Sequence, residues 1–369
     1  MTRHSIGRPA GRFDDVRSIA VLRGGGLGDL VGALPALAAL RAAYPAAVIT
    51  LLGMPGHAAL LDGRPDSPVD EVLVLPPHPG VRDGATDPVA VEAFVAALRK
   101  RRFDLAVQAH GGGRNSNPFL LRLGARHTVG TRTADAVPLE RTIPYRYYQH
   151  EVHRWLEVAG LAGALPTDLE PGLTATEEER AAGRALLGDG QAVVLHPSAT
   201  DPRRRWPAQR FGVVAAALAQ HGVAVLVVGD ASDAPIAREI ERAAHTALPA
   251  TQRDRVRSLA GVLDLRGLVG VLAAADAVLA NDSGPRHIAQ ALGTPTVGLF
   301  WFGNAINAGP FARGDQRVLL GWTTRCPICG ADVTQVGWTA DRCPHDPSFL
   351  TGIHPEAVLG EVRALLAGE

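Results

Sequence analysis

At 369 residues the chain is too long for one ordinary hydrophobic core and suits two α/β domains. Lysine plus arginine and aspartate plus glutamate each total 37, a balance that argues against a dedicated nucleic-acid binder or a polybasic membrane binder. Hydrophobic residues are 46% of the chain against 20% charged, which argues against disorder, and no apolar run approaches the ~20 residues of a membrane helix.

Met1 to Val16 is polar and Arg-rich without an apolar signal core, so a cytoplasmic location is expected, with at most peripheral contact at the inner membrane surface. Lys100 is the only lysine, so arginine stands wherever a cation is needed.

In chain order, Ser18 to Arg23 reads as a strand, Gly24 to Asp29 as a glycine-rich turn, and Leu30 to Ala43 as a helix. Strand, turn and helix in that order open a doubly wound α/β domain. Further strands are predicted at Ala47–Leu52, Glu71–Leu75, Asp104–Ala109 and Thr128–Gly130, with helices at Val89–Arg102, Asn117–Leu123 and Glu151–Ala159. Leu161 to Leu173 is rich in Pro, Gly and acidic residues and is read as a linker, placing the domains at 1–170 and 171–369.

The second half repeats the alternation. Helices are predicted at Glu177–Leu187, Pro207–His221, Pro235–His245, Pro285–Leu292 and Pro355–Leu366. The strands between them are Ala192–His196, Ala224–Val228, Ala277–Asn281 and Thr296–Phe300. Two such halves imply an α/β fold of two facing Rossmann-like domains with a cleft between them, and ligands sit beyond the carboxyl ends of the strands.

Three strand-to-helix turns carry candidate chemistry. Arg23 to Asp29 is a flexible loop entering a helix, whose glycines permit positive φ and close approach by a ligand. It does not spell the dinucleotide fingerprint in register, which argues against a dehydrogenase. Asp29 is open to two readings, a functional carboxylate or an acid favoured in the first helical turn by capping and the dipole.

His196 to Pro207 places hydroxyl side chains, then Arg203, Arg204 and Arg205, before a Trp-Pro that starts a helix. Arginine's planar fork suits phosphate oxygens, and cations at a helix N-terminus call for a compensating anion. Ala280 to Pro295 delivers Asp282 from a strand, after which Ser283 and Gly284 open a helix suited to an anion. His287 lies one turn into it. Ser283 by itself is an N-cap; with the arginines it forms a second wall of a diphosphate pocket.

Together these segments resemble the ADP-heptose:lipopolysaccharide heptosyltransferases, glycosyltransferase family 9. The R-x-x-x-x-G-D-x-x-x-x-x-P opening is matched from Arg23 through Asp29 to Pro35. The H-P-x-(S/T) loop ending in R/K-x-W-P is matched by His196 to Pro207. The D-(S/T)-G-x-x-H-x-A-x-A-x-G-x-P motif is matched by Asp282 to Pro295, and Phe103 to Gly113 is similar to a fourth motif.

The resemblance implies a GT-B fold, an acceptor domain followed by a nucleotide-sugar donor domain, and inverting, metal-independent transfer needing no cofactor. On this resemblance Asp29 is the base. The donor site would comprise His196, Ser198, Thr200, Arg204, Arg205, Asp282, Ser283, Gly284 and His287, with Asp282 against the donor sugar. The acceptor, a glycan or lipid-linked hydroxyl, would meet Gly26, Gly28, Gln108, His110 and Arg114. The chain departs from the family pattern at Leu299 to Asn307, which borders the donor, and at Gln108, where relatives carry an acid.

The three cysteines cluster at Cys326, Cys329 and Cys343. Cys326 and Cys329 on a Gly-supported turn resemble a zinc knuckle, and Cys343 with His345 would complete a Cys₃His structural site pinning the 322–352 loop. His354 or Asp346 are alternative fourth ligands, and reduced thiols or one disulfide are the other readings. Two competing functions remain open at this point. A sugar-nucleotide 2-epimerase or a non-catalytic nucleotide-sugar binder would use the same diphosphate pocket without a base from the first turn.

Overall fold

A computed structural model of the chain describes residues 10–334 and 342–368. The chain divides into two compact units, Met1–Gly172 and Leu173–Glu369.

The first unit runs β1 (Ser18–Leu22), α1 (Leu27–Ala43), β2 (Val48–Gly53), α2 (Pro55–Leu61), β3 (Glu71–Val74), α3 (Pro88–Lys100), β4 (Leu105–Gln108), α4 (Ser116–Leu121), β5 (His127–Arg132), β6 (Arg141–Pro144) and α5 (Glu151–Leu161). The second runs α6 (Glu177–Leu187), β7 (Ala192–His196), α7 (Ala208–Ala219), β8 (Ala224–Val227), α8 (Ala234–Ala247), β9 (Val256–Ser258), α9 (Leu265–Ala274), β10 (Ala277–Asn281), α10 (Gly284–Ala291), β11 (Thr296–Trp301), α11 (Phe302–Ala308), β12 (Gln316–Gly321) and α12 (Pro355–Ala367).

Each unit is built on a six-stranded parallel sheet, ordered β3-β2-β1-β4-β5-β6 in the first and β12-β11-β10-β7-β8-β9 in the second. Counted by its own strands, each sheet has the doubly wound Rossmann order, and the chain reverses direction between β1 and β4 and between β7 and β10. Helices cover both faces of such a sheet, so its central strands read as unbroken apolar runs. Every residue of β7 and β10 is buried, as are Ile19 to Leu22 of β1.

The second core gathers Val193, Leu195, Trp206, Phe211 and Leu279. The first gathers Leu22, Leu52, Leu75 and Phe119 on one sheet face, while α1 packs with α5 on the other.

Six elements escape the sequence reading: α2, β6, β9, α9, α11 and β12. The helix α9, LRGLVGVLAA, contains two glycines and little polar periodicity. Gly270 is explained by packing. A Cβ on Gly183 of α6 would lie 2.1 Å from the Gly270 carbonyl oxygen, so these helices approach backbone to backbone. Glycine costs a helix about 1 kcal/mol against alanine, a cost this contact offsets. Among the described residues no helix is long and apolar enough to cross a membrane.

Candidate active site

The turns after β1 and β4 flank the reversal point of the first sheet. Arg23, only 2% exposed, ties the first turn together. Its Nη1 donates to the Ala109 carbonyl at 2.9 Å, its Nε and Nη2 donate to the Asp29 carbonyl at 3.0 and 2.8 Å, and its guanidinium lies 4.8 Å above the Trp155 ring. Nη2 also reaches Asp29 Oδ1 at 3.1 Å and Glu151 Oε2 at 3.5 Å.

Asp29 Oδ2 accepts the Gly26 N–H at 2.8 Å, so the carboxylate does cap α1. Its side chain is nonetheless 49% exposed, which leaves it reachable by a ligand. Glycine is required at Gly25, where φ is +88° and a Cβ would meet Asp29 Oδ2 at 2.5 Å. Gly26 is exposed and Gly28 half-buried in the first turn of α1.

His57, assigned no role from sequence, supports this loop from beneath. It is 1% exposed; its Nδ1 accepts the Met54 N–H at 3.2 Å, so Nε2–H donates to the Gly26 carbonyl at 3.3 Å.

Two expected acceptor contacts are corrected. Gln108 is fully buried: its Nε2 donates to the His110 carbonyl and to Ser116 Oγ, while its Oε1 accepts from Thr131 N and Oγ1, each at 3.1 Å. Every polar atom is spent on holding the β4–α4 loop to β5. His110 is likewise turned inward. Its Nε2 lies 3.1 Å from the Gly80 carbonyl, and its buried Nδ1 has no hydrogen-bond partner among the described residues and abuts Gly24. Arg114 is available: its side chain is 77% exposed, with a 3.5 Å ion pair to Asp135.

In the second unit the reversal point lies between the loops after β7 and β10. Asn281, which the sequence reading passed over, joins them: it is fully buried, donates to the Pro197 carbonyl at 2.6 Å and accepts the Trp206 N–H at 3.1 Å. Trp206 is fully buried too, with its Nε1 donating to the Ile353 carbonyl at 3.0 Å and its ring edge-on to Phe211. The tryptophan therefore anchors the arginine loop.

The three arginines separate. Arg203 forks onto Asp201, and Arg205 Nε donates to the Ala199 carbonyl at 2.7 Å. Only Arg204 reaches the β10 side, where Nη1 donates to Asp282 Oδ2 at 3.0 Å. Arg205 stays exposed on the same loop. Ser198 is buried and Thr200 exposed.

Asp282 is also corrected. Its side chain is 4% exposed, and both oxygens are engaged, Oδ2 by Arg204 and Oδ1 by His287 Nε2 at 2.9 Å. So deeply buried, it presents almost no surface to a sugar and acts as a positioning residue. Burial alone would raise its pKa, but the His287 hydrogen bond and the nearby charges win and hold it at about 2. Arg286 Nη1 lies 3.3 Å from His287 Nδ1, which therefore serves as acceptor and leaves Nε2–H to donate.

Ser283 occupies the N-cap position of α10 but makes no side-chain cap bond. Its Oγ instead lies 2.9 Å from His196 Nδ1, whose other nitrogen faces Asp233 at 3.8 Å. The helix is thus presented without a side-chain cap, with Gly284 at its start, beside the Arg204 guanidinium loop. That combination of dipole and guanidinium suits an anion.

His57, His110 and His196 are each driven down to a pKa of about 4, chiefly by burial. Each is neutral in the fold but protonates in the unfolded chain below its ordinary 6.5. The unfolded state then binds more protons, so the stability these residues contribute is present above 6.5 and lost as pH falls towards 4. Urea unfolding at pH 7.5 and 5.0 should show a loss of up to about 2 kcal/mol per histidine, reduced by one share in His196→Asn. Equal stability at the two pH values would contradict this.

The cysteines are all free thiols and converge with His345. The ligand atoms of Cys326, Cys329, Cys343 and His345 lie within 4.8 Å of one another. The alternative fourth ligands are placed otherwise: Asp346 pairs with Arg342, and His354 sits at the N-cap of α12.

Comparison with known proteins agrees with this architecture. Residues 91–330 match glycosyltransferase family 9 (heptosyltransferase). Lipopolysaccharide heptosyltransferase 2 of Escherichia coli K12 is 26% identical over 358 residues, covering 93% of this chain and 97% of that one. The structure of E. coli ADP-heptose LPS heptosyltransferase II superposes with a TM-score of 0.72 at 23% identity, over 95% of this chain and 98% of that one. A family 9 glycosyltransferase from Veillonella parvula gives 0.76 at 19% identity, over 98% and 100%. The fold is α/β of GT-B type, and the chain belongs to glycosyltransferase family 9, the heptosyltransferases.

Proposed function

We propose that this enzyme transfers heptose from ADP-heptose to a hydroxyl of a lipopolysaccharide-core-type acceptor, with inversion at the anomeric carbon and no catalytic metal. The C-terminal unit takes the donor and the N-terminal unit the acceptor. The observation that carries the reading is the anion cradle of the second sheet, where Arg204, held by buried Asp282, stands beside the uncapped start of α10. The names of relatives aligned over nearly their full length supply the sugar, and that of the E. coli ADP-heptose LPS heptosyltransferase II structure supplies the nucleotide.

In this mechanism Arg204 and the α10 terminus take up the negative charge that develops on the departing ADP. Asp29 removes the proton of the attacking hydroxyl as its oxygen bonds to the anomeric carbon. The base contributes ~10²–10⁴-fold, and orientation of the two substrates supplies much of the remainder.

The test is a thermal-shift panel of nucleoside diphosphates followed by turnover of ADP-heptose. ADP at a hundred times its Kd should stabilise the fold by about 2.7 kcal/mol, with UDP and GDP weaker at equal concentration. A protein indifferent to ADP, or one that prefers another nucleotide, would refute the donor assignment.

A further inference from the structure

We propose that Cys326, Cys329, Cys343 and His345 bind one tetrahedral Zn²⁺, and that this ion holds in register the arginine loop carrying Arg204. Three thiolates and an imidazole form a closed structural set for zinc. With Zn–S near 2.3 Å, neighbouring ligand atoms of a tetrahedron lie about 3.8 Å apart. Here Cys326 Sγ and His345 Nδ1 are 3.9 Å apart, and all four ligand atoms fall within 4.8 Å.

The backbone around Cys326 forms a tight knuckle that brings Cys326 and Cys329 together. Arg325 and Asp332 pair as an antiparallel bridge, and between them Gly330, at φ +71°, donates its N–H to the Cys326 carbonyl at 2.9 Å. Binding would exchange three thiol protons for the ion, so loading releases three protons per zinc at a pH where the thiols are protonated.

Chain flanking the ligand set lies against the loop that carries Arg204. Phe349 N–H donates to the Arg203 carbonyl at 2.8 Å, and Ser348 Oγ donates to the Arg205 carbonyl at 2.6 Å. Thus the carbonyls of the two residues flanking Arg204 are bonded to chain next to the ligand set. At its other end, Trp301 Nε1 donates to the Thr323 carbonyl at 2.7 Å, and Thr323 Oγ1 donates to the Phe349 carbonyl at 3.0 Å.

Elemental analysis of the full-length wild-type protein, purified without chelator, tests the site directly. One zinc per chain is expected, released by a mercurial thiol reagent. Cobalt substitution should show the visible bands of tetrahedral cobalt with thiolate charge transfer. Cys329→Ser, at an exposed position, should lose the metal while remaining folded. Wild-type protein with substoichiometric zinc, or with stoichiometric iron in its place, overturns the assignment.

The second half of the proposal rests on the ADP reading above, so wild-type ADP affinity is the control. If wild type binds ADP, the metal-depleted protein should bind it more weakly, by up to roughly 10²-fold, the worth of one charge-assisted hydrogen bond to phosphate. Unchanged ADP affinity after depletion overturns the coupling. Wild-type indifference to ADP instead counts against the donor reading and leaves the metal analysis standing.

Discussion

Replacing Asp29 by asparagine should lower the rate of transfer by ~10²–10⁴-fold while leaving the affinity for ADP within about twofold of wild type. The substitution separates the two roles the carboxylate occupies. As a cap, Asp29 accepts the Gly26 N–H through Oδ2 and the Arg23 guanidinium through Oδ1. An amide can keep the first bond, but its NH₂ then faces Arg23 as donor to donor. Arg23 retains its bonds to the Asp29 and Ala109 carbonyls, so the loop stays in place at a cost of about 1–2 kcal/mol.

As a base, by contrast, an amide is useless. A variant with wild-type turnover would show that Asp29 is a cap alone, and would favour a nucleotide-sugar binder or an epimerase working from the donor side. Steady-state kinetics together with a melting curve decides, because loss of activity from unfolding would move both.

Arg204→Ala should raise the Kd for ADP by ~10²–10³-fold, from two causes that a second variant separates. The guanidinium is the cation placed beside α10, and its removal takes away a charge-assisted contact to phosphate. It also strips one of two partners from the Asp282 carboxylate, which is 4% exposed. Leaving a buried charge half-paired costs about 3 kcal/mol in stability. Adding Asp282→Asn to Arg204→Ala should restore much of that stability but none of the ADP affinity. Arg204→Lys, which keeps the charge but loses the planar fork, should fall in between. Should Arg204→Ala bind ADP like wild type, the diphosphate is not held here.

Much of the fold was legible because doubly wound sheets write themselves locally. A strand buried on both faces is a short apolar run, and a glycine turn into an amphipathic helix follows it. β1, β7 and β10 were found on that basis within a residue of their observed ends. The elements missed lie where local pattern and final environment disagree. α9 reads as a weak helix because Gly267 and Gly270 interrupt it, and only the packing of Gly270 on Gly183 gives that sequence a reason. The strand β12 at the sheet edge is only half-buried in its middle, so it carries little of the hydrophobic signal.

The sequence by itself determined which residues stand at the carboxyl ends of the central strands: Arg23 to Asp29, His196 to Trp206, and Asp282 to His287. Chain order and turn chemistry are local, and they survive whatever the rest of the protein does. Tertiary structure alone decided what those residues are free to do. Asp282 is spent on an arginine 78 positions earlier, Ser283 on a histidine 87 positions earlier, and Gln108 on a threonine 23 positions later. A buried polar group must find a partner, and which partner is within reach depends on how distant segments pack. For the same reason Asp29, whose neighbours leave it half exposed, keeps an oxygen surface for chemistry, while Asp282 does not.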